Sequence, residues 1–546
     1  MAAFIGVDVG TTSARAGVFD ERGTLLGTAR NPIALWREAG DIAEHSSTDI
    51  WQACVAAVRA SLREAALSPD KITGIGFDAT CSLVVLDENG GPVSVSPSGQ
   101  HERNVIVWMD HRAVAEARFV NTTKDPVLNY VGGTISPEMQ TPKLLWLKRI
   151  MPTAYDAAGH FFDLADFLTW RATGSTARSI CTLTCKWTYL AHERRWSGDF
   201  FERIGLGDLA HDAYRRIGTK IVEPGTALVR GLSPAAAAEL GLLAGTPVGA
   251  ALIDAHAGGI GTIGARGHDG AAALVSKRLA YIMGTSACIM ASTPEPCFVP
   301  GVWGPYFSSM VPGQWLCEGG QSAAGAAVDQ LVRTHPAYAQ AANESAMRGC
   351  TVLELLEQEA NRGRTSVGEA ALAACKIHVL PEFLGNRSPY ADPDVRAVVA
   401  GLDLSNDIAS LARLFVAGLC GLAYGLADVI DAMRAHGIDS ETMIISGGAS
   451  RSPLVRQIMA DTTGLGVALP QTAEPVLLGA AMLGAVASGT FASIPAAMDA
   501  MSALGAVTDP TPPALAEFHA AKRRVHGLMR KLDAKARAAM AMQAAT

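Results

Sequence analysis

A strand, a glycine turn rich in hydroxyl groups and a second strand follow one another twice in this chain. The first copy covers residues 4–19 around Gly10-Thr11-Thr12, and the second covers residues 279–291 around Gly284-Thr285-Ser286. Apolar, β-branched runs interrupted by glycine predict strands joined by tight turns. Two copies in separate halves of the chain indicate a duplicated α/β unit, and 546 residues are too many for a single core.

The run between the two copies indicates where the chain divides. Residues 242–267 are rich in Ala and Gly and pass through Asp254. We expect the junction close to Ala265, because boundaries fall where composition changes between compact units. This predicts a first domain of residues 1–264 and a second domain of residues 265–505, with a cleft between them. Residues 506–546 are predicted to be a C-terminal extension that forms a terminal surface helix.

The sequence predicts two helices, one with a candidate N-cap and one that is buried. Residues 47–66 form one helix, with Ser47 or Thr48 as its N-cap. Residues 416–433 form another, which is rich in Gly and Ala and carries two aspartates. That stretch is too short and too polar to span a bilayer, so we expect a buried helix and no membrane partner.

The charge of the chain and its first residues exclude several classes of protein. A net charge of -7 and a pI near 6.0 leave no basic field for a nucleic-acid backbone. The N-terminus has no basic segment and reaches Asp8 within eight residues, which is not typical of a signal peptide. We therefore expect a cytoplasmic protein without a nucleic-acid partner.

Ten cysteines are scattered along the chain, without the paired spacing of a disulfide scaffold. We interpret them as reduced thiols. Cys181 and Cys185 lie four residues apart, but no second pair and no nearby histidine completes a metal shell in the sequence. The sequence therefore predicts no zinc site.

The first turn combines a carboxylate with groups that handle phosphate. The glycine lets backbone N–H groups approach a phosphate, the hydroxyls can donate to its oxygens, and the aspartate can hold Mg²⁺ through water. On its own, this composition fits a polar hairpin turn equally well. The second copy favours a phosphate site with one turn facing each end of a triphosphate. The residues concerned are Asp8, Gly10, Thr11, Thr12, Ser13, Arg15, Gly284 and Thr285.

Asp254 follows an apolar run and precedes a Gly/Ala-rich helix start, so it can accept a hydroxyl proton or simply cap the helix.

Residues 259–264 match Gly-x-Gly-x-x-Gly. They do not directly end a strand and no acid follows at the required distance, so we interpret them as helix packing, with nicotinamide binding as the alternative.

A third glycine turn follows the strand predicted at residues 442–445. Gly447 and Gly448 can form a flat surface for a nucleobase or can supply unusual backbone angles only. Ser452 and Pro453 then predict an N-cap and a first-turn proline for a helix.

These features occur in an order that resembles the FGGY carbohydrate kinases, across nearly the whole chain. Further segments are similar to the D-ribulokinase branch of that family. The segments that carry the family resemblance are Asp8 to Arg15, Asp254 to Gly258, Met283 to Ser286 and Ser446 to Ala449. Those similar to the D-ribulokinase branch are Gly76 to Asp87, Trp108 to Arg112, Cys185 to Tyr189, Val302 to Tyr306, Glu318 to Ser322 and Phe383 to Pro389.

The resemblance implies two ribonuclease-H-like, actin-like ATPase domains that close a deep cleft on a sugar and MgATP. It implies that Asp254 is the general base and that Asp8 is linked to the metal. The resemblance implies further nucleotide contacts at Gly325, Gly448 and Ser452, and Gly447 is included with them. Similarity to L-ribulokinases implies the sugar contacts Cys81, Lys186, Asp254 and Glu318.

We therefore expect an ATP-dependent kinase that converts D-ribulose to D-ribulose 5-phosphate. Thr80-Cys81-Ser82 stands where xylulokinases carry Gln-Met-His, which disfavours D-xylulose. Ribitol and L-ribulose remain alternatives on the same site, and an actin-like ATPase interaction module is the alternative of another class. The expected partners are a small sugar and ATP with Mg²⁺, and a homodimer is left open.

Overall fold

The computed structural model describes residues 2–38, 42–267, 270, 272–511 and 514–544. Within these ranges the chain forms two large mixed sheets covered by helices. The first sheet has five strands. From one edge to the other these are Leu252–Ile253, Ile72–Ala79, Ala3–Val9, Ser13–Asp20 and Leu25–Pro32.

The strand Ala3–Val9 is the centre of the first sheet. All seven of its residues are buried, as expected for an apolar strand covered on both faces. It pairs antiparallel with Ser13–Asp20, which pairs antiparallel with Leu25–Pro32, so the predicted meander at the N-terminus is confirmed. On its other side it pairs parallel with Ile72–Ala79.

The second sheet repeats this arrangement. Its central strand Arg278–Met283 pairs antiparallel with Ala287–Thr293 across the second hydroxyl turn and parallel with Thr442–Ser446. The predicted duplication is therefore visible in the strand pairing. Across the sheet the order is Trp303–Phe307, Trp315–Gln321, Ala287–Thr293, Arg278–Met283, Thr442–Ser446, Gly466–Pro470 and Leu504–Thr508.

Smaller sheets complete the β structure. A five-stranded sheet packs in the first half, and its strands in order are Trp36–Glu38, Ile42–His45, Val105–Ile106, Leu83–Leu86 and His160–Asp163. The two-stranded sheets pair Arg178–Ser179 with Ile221–Val222 and His378–Leu380 with Val398–Ala400.

The helices surround the sheets. Those of the first half are Ser47–Ala65, Val114–Thr122, Gln140–Ile150, Pro152–Ala157, Leu164–Thr173, Ile180–Lys186, Gly198–Ile204, Gly207–His211, Pro234–Leu240 and Asp254–Ile263. Those of the second half are Gly325–Arg333, Tyr338–Arg348, Val352–Asn361, Ile408–Ala435, Pro453–Thr463, Pro475–Ala487, Ile494–Met501 and Ala514–Ala544.

Two of these helices test the cap predictions. The N-cap of Ser47–Ala65 is Ser46, whose hydroxyl accepts from the Asp49 N–H, so the predicted cap at Ser47 or Thr48 was one or two residues late. Ser452 caps Pro453–Thr463 and accepts from the Val455 N–H, as predicted. Three hydroxyl residues in succession at positions 46–48 explain the first error, because each has the side chain that a cap requires.

The helix Pro475–Ala487, here called the bridging helix, connects the two halves. It belongs to the second half but packs on the central strands of the first sheet and on Asp254–Ile263. Glycines allow this approach, since a Cβ on Gly479 would overlap the carbonyl oxygen of Ala257, and one on Gly261 would overlap that of Pro475. The helix-packing interpretation of residues 259–264 is therefore confirmed.

The helix Ile408–Ala435 is buried, as predicted. The expectation that this stretch is too short and too polar to span a bilayer is wrong, because the helix has 28 residues and is long and apolar enough to do so. However, 89% of its most apolar window is buried inside the protein. Its neighbours are helices and strands of the second half, including Pro453–Thr463 and Val352–Asn361. Packing against protein accounts for its hydropathy.

The C-terminal extension differs from the prediction in two ways. The proposed boundary at residue 505 falls inside the strand Leu504–Thr508, which still belongs to the second sheet. The terminal helix Ala514–Ala544 is also more than a surface helix, because His519, Lys522 and His526 are buried on its inner side. Lys522 donates to two backbone carbonyls of the second half, which fixes the helix there. The predicted extension also includes residues 512, 513, 545 and 546, which lie outside the described residues.

Candidate active site

A cleft of about 340 Å³ lies between the two sheets, where both hydroxyl turns meet. Side chains from both halves form its walls. It brings together ten of the residues that the sequence singled out: Asp8, Gly10, Thr11, Arg15, Cys81, Lys186, Asp254, Gly284, Thr285 and Glu318. Asp8 and Glu318, which are 310 positions apart in the chain, therefore share one site.

Three aspartates stand at the carboxyl ends of neighbouring parallel strands. Asp8 pairs in register with Asp78, and Asp78 also pairs with Leu252, two residues before Asp254. The crevice beyond the carboxyl ends of parallel strands is the usual ligand site of such sheets. Asp8 and Asp254 line the cleft, and Asp78 is buried on the strand between theirs.

Asp254 is the first residue of the helix Asp254–Ile263, and Ile253 occupies the cap position. Its Oδ1 accepts the Ala255 N–H at 2.7 Å. Burial and the negative charge of Asp8 raise the pKa of Asp254 to about 6, against the opposing effect of the Ala255 N–H. A carboxylate with this pKa is ionised at neutral pH and is a stronger base than an ordinary aspartate.

Asp78 was missed by the sequence analysis. Both of its carboxylate oxygens are buried and have no hydrogen-bond partner among the described residues. Burial and the charge of Asp8 raise the pKa of Asp78 well above its ordinary value. The signal was present, because Gly76-Phe77-Asp78 repeats the pattern of Gly6-Val7-Asp8 at the end of a strand.

The pair Asp8 and Asp78 fits a magnesium ion. Mg²⁺ prefers oxygen ligands, takes one or two carboxylates and keeps several waters. Asp8 lines the cleft, and Asp78, buried beside it on the neighbouring strand, would supply a second carboxylate. Asp8 uses one oxygen, Oδ2, for Arg15, whose Nε donates to it at 2.9 Å.

Arg15 also joins the first turn to the second half of the chain. Its second contact is with Glu474, directly before the bridging helix, at 2.7 Å between Nη1 and Oε2. The turn itself is held by Trp108, whose Nε1 donates to the Thr11 hydroxyl at 3.0 Å. The Arg15 guanidinium and the first turn therefore line the cleft beside Asp8.

Lys186, Glu318 and Cys81 line the same cleft and are here called its polar wall. Burial opposes the charge of Lys186, but the Glu318 carboxylate raises the pKa of Lys186 above the ordinary value. Burial also opposes ionisation of Glu318, but Lys186 and His256 lower the pKa of Glu318 to about 2. The wall therefore presents an ammonium and a carboxylate, which suit the hydroxyls of a polyol.

Three further residues line this part of the cleft: Trp303, Arg387 and Glu138. The sequence selected Trp303 and Arg387 only as parts of longer segments, and it did not select Glu138. The Lys186 ammonium lies 4.5 Å from the centre of the Trp303 ring, and the Arg387 guanidinium lies 5.2 Å from it. Arg387 of the second half reaches Glu138 of the first at 3.5 Å. Each is far from the glycine turns in sequence, so no local motif marks it.

A second cavity of about 660 Å³ adjoins the first, and both share Gly284 and Thr285. It contains three more of the predicted nucleotide contacts, Gly325, Gly448 and Ser452. The Ser452 hydroxyl donates to Glu357 at 2.7 Å. The shared turn therefore lies between a polar cleft and a roomier cavity of the second half.

Three described residues that the sequence selected line neither cavity: Thr12, Ser13 and Gly447. Thr12 is exposed on the far side of the turn, and Ser13 begins the next strand with a buried side chain. Gly447 has a φ of 96°, and a Cβ there would overlap the Met283 backbone. Gly447 therefore supplies an unusual backbone angle, which was one of the two predicted alternatives.

His256 corrects one prediction about the cysteines. The sequence placed no histidine near Cys181 and Cys185, but the His256 Nδ1 lies 3.1 Å from the Cys181 Sγ. The other ring nitrogen of His256 lies 3.3 Å from Glu318. Burial opposes protonation, but Cys185 and Glu318 raise the pKa of His256. Folding brings together residues that are 75 positions apart.

Comparison with known proteins identifies the fold and the family. Residues 3–261 match the N-terminal domain model of the FGGY family of carbohydrate kinases, and residues 279–488 match its C-terminal domain model. This chain belongs to the FGGY family of carbohydrate kinases.

The relatives of this FGGY kinase include an FGGY carbohydrate kinase domain-containing protein of Homo sapiens, 48% identical over 93% of this chain and 92% of that protein. A D-ribulokinase of Saccharomyces cerevisiae is 36% identical over 89% of this chain and 72% of that protein. The solved structure of a xylulose kinase from Rhodospirillum rubrum superposes with a TM-score of 0.77 over 96% of this chain and 98% of that one, at 21% identity.

The fold of this FGGY kinase is thus a pair of actin-like, ribonuclease-H-like domains. The chain is an ATP-dependent sugar kinase, as the sequence predicted. The two cavities that share the second hydroxyl turn are the candidate site for that activity.

Proposed function

We propose that this kinase phosphorylates the terminal hydroxyl of D-ribulose, with Asp254 as the general base. The observation that carries the proposal is the position of Asp254, which lines the same cleft as both hydroxyl turns and the polar wall of Lys186 and Glu318. The identity to a yeast D-ribulokinase, 36% over 89% of the chain, supports a pentulose as the acceptor.

The sugar would bind against the polar wall. Lys186 can donate to sugar oxygens, and Glu318 can accept from sugar hydroxyls, so together they fix the orientation of a short polyol. Burial raises the pKa of the Cys81 thiol to about 12, so Cys81 stays neutral and offers a small surface at the same wall. Binding in this way directs one terminal hydroxyl toward Asp254.

ATP would extend from the second cavity into the cleft. The base and ribose would lie near Gly325 and Gly448, and the phosphates would pass the turn at Gly284 and Thr285. Backbone N–H groups of the two turns and the Arg15 guanidinium would donate to the phosphate oxygens. The γ-phosphoryl group then comes within reach of the sugar hydroxyl at the junction of the two cavities.

In the transfer step the Asp254 carboxylate accepts the hydroxyl proton, the sugar oxygen forms a bond to the γ-phosphorus, and the bond to the ADP oxygen breaks. Mg²⁺, when bound by Asp8 and Asp78, would neutralise charge on the phosphate oxygens. Closure of the two domains would exclude water, as expected for a kinase that must not hydrolyse ATP.

The substrate is tested by measuring ADP release with a coupled assay over D-ribulose, L-ribulose, ribitol, D-xylulose and glycerol. We expect kcat/KM for D-ribulose to exceed the others by about 10-fold or more, which corresponds to about 1.4 kcal/mol of transition-state stabilisation. A higher value for ribitol or L-ribulose would reassign the substrate. ADP release without sugar at the same rate would favour the ATPase alternative.

The pH dependence of the reaction tests the base. Because Asp254 must be ionised to accept a proton and its pKa is about 6, the active form is lost as the pH falls. We expect kcat/KM for the sugar to be constant above about pH 7 and to fall about tenfold per unit below pH 6. Circular dichroism at each pH confirms that the protein stays folded, and a flat profile down to pH 5 would contradict the assignment.

A further inference from the structure

Behind the polar wall lie three buried groups that ligate soft metal ions. Cys181 and Cys185 are one turn apart on the helix Ile180–Lys186, and His256 faces them from the helix Asp254–Ile263. Their ligand atoms all lie within 4.8 Å of one another. Ligand atoms around a tetrahedral Zn²⁺ lie about 3.5 Å apart, given Zn–S of about 2.3 Å and Zn–N of about 2.0 Å, so small side-chain movements would suffice.

The surroundings of His256 match those of a metal-binding imidazole. Such a histidine commonly donates its second N–H to a carboxylate, which fixes the tautomer and directs the other nitrogen to the metal. Here the Nε2 lies 3.3 Å from the Glu318 Oε2. The Nδ1 lies 3.1 Å from the Cys181 Sγ and 3.2 Å from the Ser309 carbonyl oxygen, a contact that a metal ion would replace. The carboxylate therefore orients the nitrogen that would face a metal.

Charge and hydrogen bonding also suit a dication at this place. Two thiolates and a neutral imidazole balance the charge of a divalent ion, so a buried complex would be neutral and would avoid the cost of an unpaired buried charge. The backbone N–H of Ile253 points to the Cys181 Sγ at 3.4 Å, a contact that stabilises a metal-bound sulfur. The relative exposure of all three ligands is 0%.

The cluster adjoins the cleft, although none of its three ligands lines the cleft. Cys185 directly precedes Lys186, and Glu318 belongs both to the polar wall and to the His256 contact. Because Glu318 lies on the second sheet and the ligands lie in the first half, separation of the two halves would uncover the cluster. A metal ion would then enter through the sugar pocket.

We propose that Cys181, Cys185 and His256 form a binding site for a soft divalent cation, with Zn²⁺ as the representative ion, separate from the magnesium carboxylates. Three protein ligands leave a fourth position for water or a small anion. Occupation of the site joins two helices of the first half and stabilises the folded state by mass action.

The test uses Co²⁺ as a spectroscopic probe on the reduced full-length protein. We expect one equivalent to produce a thiolate-to-cobalt charge-transfer band and the intense visible bands of a four-coordinate ion, and Zn²⁺ to displace it. An excess of Mg²⁺ should leave the bands unchanged, since a hard cation prefers oxygen ligands. Zn²⁺ should also raise the melting temperature.

Variants decide whether these residues are the ligands. Cys181→Ser and Cys185→Ser should each weaken Co²⁺ binding by about 100-fold or more, since loss of an outer partner alone costs about 10- to 100-fold. Cys420→Ser is the matched control, because Cys420 is an equally buried helical thiol outside the cluster. Glu318→Gln keeps all three ligands and should weaken binding by about 10- to 100-fold, which tests the site even if a serine variant fails to fold.

Two results would overturn the proposal. One is the absence of a thiolate charge-transfer band when Co²⁺ binds the parent protein. The other is an unchanged band in the Cys181→Ser and Cys185→Ser variants, which would place the ion on other thiols such as the exposed Cys375. Neither result depends on kinase activity, so the metal site and the proposed substrate fail independently.

Discussion

Replacing Asp254 with asparagine should reduce kcat by about 10²- to 10⁴-fold while KM for ATP changes by no more than about twofold. The amide keeps an oxygen for the Ala255 N–H, so the start of the helix is retained, but it accepts no proton from the sugar. Steady-state ADP release with D-ribulose, and ATP binding measured by calorimetry, separate the two quantities.

Stability provides an internal check on this variant. Burial and Asp8 raise the pKa of Asp254, so the ionised carboxylate is unfavourable in the folded state at neutral pH. The asparagine variant should therefore melt at the same temperature or higher. Asp199→Asn is the control, since Asp199 also lies in the first turn of a helix but is exposed and outside both cavities. A near-normal kcat for Asp254→Asn would reject the role of Asp254 as the base.

Replacing Gly479 with alanine should destabilise the whole protein by about 3 kcal/mol, the upper end of overpacking effects. The added Cβ would overlap the carbonyl oxygen of Ala257 and come within 3.1 Å of the Ala257 Cα. Both atoms belong to backbone, which has no rotamer to turn away. The higher helix propensity of alanine, about 1 kcal/mol, acts in the opposite direction and is smaller.

This variant should also lose activity, because the displaced helix Asp254–Ile263 carries the base at its first residue. Urea and thermal unfolding measure the stability change, and ADP release measures the rate. Gly527→Ala is the matched control: Gly527 lies in the terminal helix, where no described atom is within 4 Å of an added Cβ. That variant should be about as stable as the parent or up to about 1 kcal/mol more stable. Equal stability of Gly479→Ala and the parent would contradict the proposed packing of the bridging helix.

Local sequence patterns predicted the elements on which the site is built. Apolar runs that end at Gly10 and Gly284 predicted four strands and two turns, because strand and turn preferences depend on residues close together in the chain. The serine-proline pair at residues 452 and 453 predicted a capped helix for the same reason. The resemblance to a kinase family then supplied roles for residues that local patterns leave ambiguous, such as Asp254.

Boundaries were less well predicted where several residues satisfy the same local requirement. Ser46 caps its helix although Ser47 and Thr48 have the same chemistry, and the choice depends on where the helix packs. The end of the second domain was placed at residue 505, inside a strand whose pairing partner, Gly466–Pro470, is distant in the sequence. Neither the position of this N-cap nor the end of the second domain is set by residues close together in the chain.

The sequence by itself determined the two hydroxyl turns, the strands around them and the family of this kinase, since all three depend on short ordered segments. Only the tertiary structure decided that Asp78 joins Asp8, that His256 meets Cys181, and that the bridging helix of the second half covers the first sheet. Those contacts arise from parallel strand register and glycine-mediated helix packing between distant segments. The turn at Gly10 is thus a local feature, but the charge and the walls that make it part of an active site are set by the fold.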